Sequence, residues 1–400
     1  MNVDELVRDS LREQAAEQPA LGPGFAERVL AVRRRRRTRA LASVAAATAV
    51  VVAVAVAVPF LDAGKDDARL ANVSAHPDQT PPRDMIAAGG VALAAYYTWE
   101  TDARGVAVRA YRLLDPKTGT YVKTTKWSRV AVAPGMRTAA VLERNLPAKR
   151  IGLLDLRTGE VERWIPADRG VAGVEFSPDG SKLVATTYSE NPDLRYKKAK
   201  YDNDGDGEKD WTSEPDAPGQ SSRTGFYILD VASGKGSWSE AAVVDQLGIR
   251  QDFAFSRDGK LLQSGLFWPP YRQYYDFAGN QVAAPANEAY ASWRNESGLS
   301  PDGKFVGGGY LRGTRPIEQS RSKLLDPYTG KQVTTVRGEE LLTWVDNKHL
   351  IAWDFTPDLK SPSLRLVLVT IGSDKVVPLS GFSKGLDGAA GHWTPIFAER

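Results

Sequence analysis

The sequence predicts an all-β chain of repeated four-stranded units, a β-propeller, behind one long apolar segment. Two recurring turns and their spacing carry that prediction. The first turn is Ser177-Pro178-Asp179-Gly180, repeated as Ser256-Arg257-Asp258-Gly259 and Ser300-Pro301-Asp302-Gly303. An apolar residue precedes each Ser (Phe176, Phe255, Leu299), and another lies three after each Gly (Leu183, Leu262, Val306). Pro presets φ, Asp bonds its own backbone and Gly takes the left-handed position, so each copy reads as strand, tight turn, strand.

The second turn interleaves with the first. It reads Asp115-Pro116-Lys117-Thr118-Gly119, Asp155-Leu156-Arg157-Thr158-Gly159, Asp230-Val231-Ala232-Ser233-Gly234 and Asp326-Pro327-Tyr328-Thr329-Gly330, with a shortened Asp276-Phe277-Ala278-Gly279. Successive Asp residues are 40, 75, 46 and 50 apart. Two hairpins in a unit of this length are the signature of a propeller blade. Degenerate copies, such as Ala133-Pro134-Gly135 and Asp346-Asn347, fill the gaps. The expectation is about six four-stranded blades, or seven, over residues 88–400, with the strand near Trp393 to Phe397 closing the ring on the first blade. The long interval holds a polar insert, residues 189–223.

These Ser-Pro-Asp-Gly and Leu-Asp-x-x-Thr-Gly turns resemble propeller repeats of the TolB and WD40 kinds, and more closely the TolB kind. The resemblance spans roughly residues 88 to 380. It implies the fold and little about activity, since propellers host binding proteins, hydrolases and scaffolds alike.

The front of the chain differs. Residues 40–61 carry no charge and only Ser43 and Thr48 as polar side chains. As a helix they are long enough for a hydrocarbon core of about 30 Å. Arg33 to Arg37 and Arg39 precede the run, and Asp62, Asp66 and Asp67 follow it. The positive-inside rule therefore predicts a single-pass cell-membrane protein with residues 1–39 cytoplasmic and the propeller extracytoplasmic. A cleaved signal peptide is the competing reading, but this apolar run exceeds the usual 7 to 15 residues. Residues 62–87 read as a polar tether.

Composition fits an exported domain. The chain has 0 Cys among 400 residues, which rules out disulfides, a lipid-modified Cys and thiolate metal sites. Its Ala, Arg and Val bias points to a GC-rich, actinobacterial type of source. Residues 1–39 hold nine Arg against six Asp or Glu, while the rest balances at 43 of each sign. A balanced outer domain carries no footprint for nucleic acid. The Arg run reads as a topology signal attracted to anionic lipid.

Within residues 1–39, Val3, Leu6, Val7 and Leu11 recur at helical spacing. The layout of short helix, membrane span and outer domain is similar to that of membrane-bound anti-sigma factors, which would make a sigma factor the cytoplasmic partner. The zinc-binding subgroup is excluded because there is no Cys. The plainer reading is an interfacial stub that aids insertion.

Three stretches are candidates for chemistry. Asp202, Asp204, Asp206 and Asp210 match positions 1, 3, 5 and 9 of a calcium loop, with Gly207 at position 6. Position 12 is Ser213 where Glu is expected, so the alternative is a solvated acidic hairpin. Trp268, Tyr271 and Arg272, in an aromatic and Pro-rich run, are candidates for a ligand or partner surface. Tyr274 and Tyr275 next to them read as packing residues. Gly381-Phe382-Ser383-Lys384-Gly385 matches a nucleophile elbow in letters only, because only fifteen residues follow and His392 is the sole later His. The leading function is non-enzymatic binding or sensing of a protein or envelope ligand. The alternative is a hydrolase or lyase using carboxylates from several blades, which leave no local motif. Inward carboxylates around a pocket favour the enzyme, and a flat aromatic face favours the binder.

Overall fold

The computed structural model describes residues 72–196, 200–201, 211–212, 217–218, 221–241, 250–266, 270–292, 296–311, 320–355, 363–384 and 392–400. Described elements are strands, turns and one single-residue 3-10 position, with no α-helix among them. Every paired ladder is antiparallel, as short hairpin connections require.

The first sheet contains Ala87–Ala88, Val91–Thr101, Ala107–Asp115 and Thr120–Thr124. The last strand of the chain, Thr394–Glu399, joins it, running from Val91↔Glu399 to Tyr97↔Thr394. The ring is thus closed between the two ends of the domain, as the sequence predicts. Residues of the segment before Ala87 also lie on this sheet: Ser74 N–H donates to the Ala87 carbonyl, and the Tyr96 hydroxyl donates to Pro82 O.

The blade count is corrected. Among the described residues four sheets reach four or more strands, where about six blades are expected, and a fifth has three. The physical cause lies in two places. Glu160–Phe176 is a single strand of 17 residues that pairs with Ala148–Asp155 through its first part and with Lys182–Tyr188 through its last. It fuses two hairpin pairs into one seven-stranded sheet, from Trp127–Val132 through Thr138–Glu143 to Arg223–Asp230 and Gly236–Glu240. In the three-stranded sheet (Val306–Tyr310, Arg321–Leu325, Gln332–Arg337) the would-be inner strand is reduced to one bridge, Leu299↔Val306. The remaining two are four-stranded, from Phe253–Phe255 to Gln281–Val282, and five-stranded, from Glu340–Trp344 to Val376–Pro378 with Ser383–Lys384 at its side.

The sheets follow one another in a cycle. Tyr111 packs with Val130 and Leu154 between the first and second sheets. Phe226 packs with Phe253 and Tyr275 between the second and third. Arg257 N–H donates to Glu288 Oε1, and Arg272 Nη2 to Ser292 O, where the third meets the fourth. Leu324 and Val336 meet Leu341 and Leu350 between the fourth and fifth. Leu93 and Tyr96 meet Trp353 and Trp393 between the fifth and first. Face-to-face packing in a closed cycle is a propeller-like arrangement, with large side chains filling the wedges between sheets.

The recurring turns work as their chemistry predicts. Ser177, Ser256 and Ser300 are buried. Each hydroxyl donates to the turn Asp and accepts a backbone N–H from across the hairpin, at 2.9 Å from Lys182, 3.0 Å from Leu261 and 3.0 Å from Phe305. Gly180, Gly259 and Gly303 have φ of 71°, 69° and 71°, the left-handed region where a Cβ costs energy. In the second turn the Asp carboxylates accept N–H groups two and three residues on, as at Asp155 and Asp326.

Candidate functional site: a charged cluster on the central channel

One edge of each sheet faces a common channel. A cavity of about 310 Å³ is lined by Val132, Glu175, Phe255, Leu299 and Phe397, and one of about 1030 Å³ by Val91, Thr343 and His349. Arg257, Ser297 and Phe397 to Glu399 line both. The Ser-Pro-Asp-Gly turns lie at one end of the channel-facing strands. The charged side chains gather away from these turns, near where Trp127–Val132 and Phe253–Phe255 begin, and of them Glu175 lines a cavity.

Arg109 comes from Ala107–Asp115 and Arg129 from Trp127–Val132. Tyr188 ends Lys182–Tyr188, Asp193 and Arg195 sit at the base of the insert, and Arg250 and Asp252 precede Phe253–Phe255. Arg109 grips Asp193 with both terminal nitrogens, at 2.5 and 3.0 Å. Arg250 bridges the two carboxylates: Nη1 reaches Asp193 Oδ1 at 2.7 Å and Nε reaches Asp252 Oδ2 at 2.9 Å. Its Nη2 also donates to Ala172 O. Asp252 accepts from the Tyr188 hydroxyl at 2.8 Å and touches Arg129 Nη2 at 3.4 Å. Gly173 makes room for it, since a Cβ there would stand 2.4 Å from Asp252 Oδ1.

Burial by itself would raise the pKa of Asp193 and Asp252. The guanidiniums of Arg250 and Arg129 outweigh it, with Arg109 on Asp193 and the Tyr188 hydrogen bond on Asp252, and both stay below the usual carboxylate range. Burial and the like charges of Arg109 and Arg250 pull Arg129 below the usual arginine value. Arg195 is also lowered, by burial and then by the surrounding arginines, against the pull of Asp193. Glu175 is exposed to the channel but enclosed by protein. That enclosure, then Glu296 and Asp252, raise its pKa to about 7.

The insert leaves Lys182–Tyr188 and docks on the first sheet. Ala107 N–H donates to Asp193 O, Arg195 N–H to Gly105 O, and Val106 bridges Leu194. Beyond this base it is a hairpin pairing Arg195–Tyr196 with Ala217–Pro218 and Lys200–Tyr201 with Trp211–Thr212. Asp202, Asp204, Asp206 and Asp210 lie outside the described residues. Among the described residues no group of three His, Asp or Glu is placed to hold a metal ion.

Trp268 lies outside the described residues. Tyr271 is half-buried at a turn with φ of 64°. Arg272 is half-buried and donates to Gln263 Oε1 at 2.8 Å. Tyr274 and Tyr275 are buried: the Tyr274 hydroxyl donates to Glu288 Oε2, and Tyr275 packs edge-on against Phe253. Ser383 sits in the two-residue strand Ser383–Lys384, paired to Ser363–Thr370, and Gly385 lies outside the described residues. His392 is buried against Trp353 and Trp393. Residues 1–71 are likewise outside the described part, and among the described residues no helix is long and apolar enough to cross a membrane.

The sequence reading misses Arg109, Arg129, Glu175, Asp193, Arg250 and Asp252. They come from separate stretches of chain, and only the Arg250–Asp252 pair is close in sequence.

No protein-family model and no curated protein matches the chain. Among solved structures it is similar to TolB from Acinetobacter baumannii at 17% identity, covering 73% of this chain and 67% of that one, with a TM-score of 0.37. Hydrazine synthase from Kuenenia stuttgartiensis is similar at 13% identity over 69% and 76%, TM-score 0.34. An acylaminoacyl peptidase from Pyrococcus horikoshii is similar at 13% over 70% and 44%, TM-score 0.37. Likenesses this distant say nothing of what the chain binds or does. The propeller-like fold stands on its own strand pairing and cyclic packing.

Proposed function

We propose that this chain is a single-pass membrane protein whose extracytoplasmic propeller binds a protein or envelope ligand without chemistry. Residues 1–39 relay occupancy to a cytoplasmic partner such as a sigma factor, and the acidic tip of the insert takes Ca²⁺. One observation carries the binding reading: charged side chains from four stretches of chain meet in one cluster with their carboxylates already engaged. Asp193 is held by two arginines, and Asp252 by Arg250, Arg129 and Tyr188. A carboxylate so engaged is a poor base or nucleophile and a good rigid support for a docking surface.

The enzymatic reading has its own support. Glu175, which lines a cavity, and the nearby Asp252 have pKa values pushed in opposite directions, the pattern of an acid paired with a base.

Photo-crosslinking of the full chain in its native membrane, from positions around Arg129, tests both readings. A discrete adduct that is lost in the Arg129→Gln variant is expected, with lower yield on calcium chelation. Turnover of an envelope polymer that Glu175→Gln abolishes, without any adduct, overturns the binding reading in favour of the enzyme.

A further inference from the structure

We infer that the charged end of the channel is an oxyanion site, built on Arg129 and Arg195, for a ligand bearing a phosphate-type dianionic group. The inference rests on the reading of the chain as a binding module and names the chemistry of what is bound.

The cluster brings four guanidiniums, Arg109, Arg129, Arg195 and Arg250, to two carboxylates, Asp193 and Asp252. Two of the four have their terminal nitrogens on carboxylates, although the buried Nε of Arg109, like those of Arg129 and Arg195, has no hydrogen-bond partner among the described residues. Arg109 spends both terminal nitrogens on Asp193, and Arg250 divides its three nitrogens among Asp193, Asp252 and Ala172 O. Among the described residues the other two have no carboxylate of their own. Among the described residues Arg129 touches only the edge of Asp252, at 3.4 Å, and its buried Nε has no hydrogen-bond partner. The Arg195 guanidinium lies over the Trp99 ring at 5.2 Å, and its buried Nε is also unpartnered among the described residues.

Protein interiors rarely leave such donors unmet, because each forfeits its hydration without return. Among the described residues the cluster carries two more cations than carboxylates, which matches a compact dianion, a group that guanidinium binds through paired N–H groups. The site is also reachable. The Arg129 side chain keeps 19% of its surface exposed and Asp252 beside it 31%, whereas Asp193 keeps 2%. The carboxylates facing an incoming anion are Asp252, already covered by Arg250 and Tyr188, and Glu175 and Glu296 along the channel.

Calorimetry and thermal unfolding of the full chain, with inorganic phosphate, glycerol phosphate, sulfate and acetate, test the inference. Saturable phosphate binding that raises the unfolding temperature is expected. Glycerol phosphate as the tighter ligand identifies an esterified source, and inorganic phosphate as the tighter one a free source. Arg129→Gln should weaken phosphate binding by ~10-fold or more, the usual worth of a charge-assisted contact. Without phosphate the same variant should unfold at a temperature equal to or above that of the parent, since it removes a like charge from the cluster. Asp252→Asn should tighten binding. Absence of saturation, acetate binding as well as phosphate, or a lowered unfolding temperature for phosphate-free Arg129→Gln each overturns the site. If phosphate fails while an Arg129-dependent crosslinked partner persists, the anion chemistry is wrong and the binding module stands.

Discussion

The two ends of the channel use the same residue types in opposite ways. At the turn end, each Asp is served by its near neighbours: Asp179 accepts from the Ser177 hydroxyl, the Ser181 N–H and the Ser181 hydroxyl, all within two residues. At the charged end, Asp193 is held by Arg109, 84 residues away, and by Arg250, 57 away. Arg129 reaches Asp252 across 123 residues. Turn interactions form with the hairpin and are repeated from sheet to sheet. Cluster interactions exist only once the sheets are in place, so they report on the whole ring.

That contrast is broken most strongly at Asp193. Its side chain is nearly fully buried between two arginines. Replacing Asp193 with Ala strands Arg109 and leaves Arg250 with Asp252 alone, and losing one partner of a buried pair costs about 3–5 kcal/mol. Urea unfolding should show the loss, with a strongly non-additive double variant when Arg109→Ala is added. The pH dependence has a definite sign. The folded pKa of Asp193 lies below its unfolded value, so its contribution is complete above about pH 3.9 and is lost as pH falls further. The Asp193→Ala variant should therefore show a flatter acid limb than the parent. Additive losses with unchanged acid limbs would make the cluster a set of independent surface pairs.

A smaller effect is expected at the turns. Ser256 and Ser300 are buried, and each hydroxyl both donates to an Asp and accepts an N–H. Changing either to Ala strands a buried backbone donor, at about 1–3 kcal/mol. Because the two turns belong to different sheets, the losses should add to within about 0.5 kcal/mol in denaturant titrations. Strong coupling between them would show that the turns are no more local than the cluster.

The same contrast explains what was legible in the sequence. Turn frames such as Ser300-Pro301-Asp302-Gly303 carry their partners within a few residues, so pattern and structure coincide. The closing strand was legible because Trp393 to Phe397 had to pair somewhere and the first strand was unpartnered. The blade count was not, since nothing local in Glu160–Phe176 says that it continues through its Gly170 region as one strand. There Gly170 lies where a Cβ would meet Pro147 at 2.5 Å, a close approach set by tertiary packing. Nor was the cluster legible. Arg129 and Asp252 acquire meaning only from each other, and the insert drew attention for its acidic tip while its base, Asp193, holds the charged end together.

The finest discrimination between the two ends is the direction in which a carboxylate titrates. Asp179 is held down to about 2 by the Ser177 hydroxyl and then by the Ser181 N–H and hydroxyl. Glu175, only four residues earlier, is raised to about 7 by enclosure and then by Glu296 and Asp252. A raised carboxyl stabilises the fold below its unfolded pKa, near 4.3, and loses that contribution as pH climbs to the folded value. Over about pH 4.3 to 7 the parent protein should thus lose thermal stability relative to Glu175→Gln, and the gap should then level off. The gap is expected to be modest, because channel water still reaches the side chain. Thermal midpoints of the two proteins at half-unit pH steps measure it. Parallel curves across that window would mean that the channel solvates Glu175 as freely as the outer surface solvates Asp179, and the two ends would then differ in how far their partners lie along the chain and not in polarity.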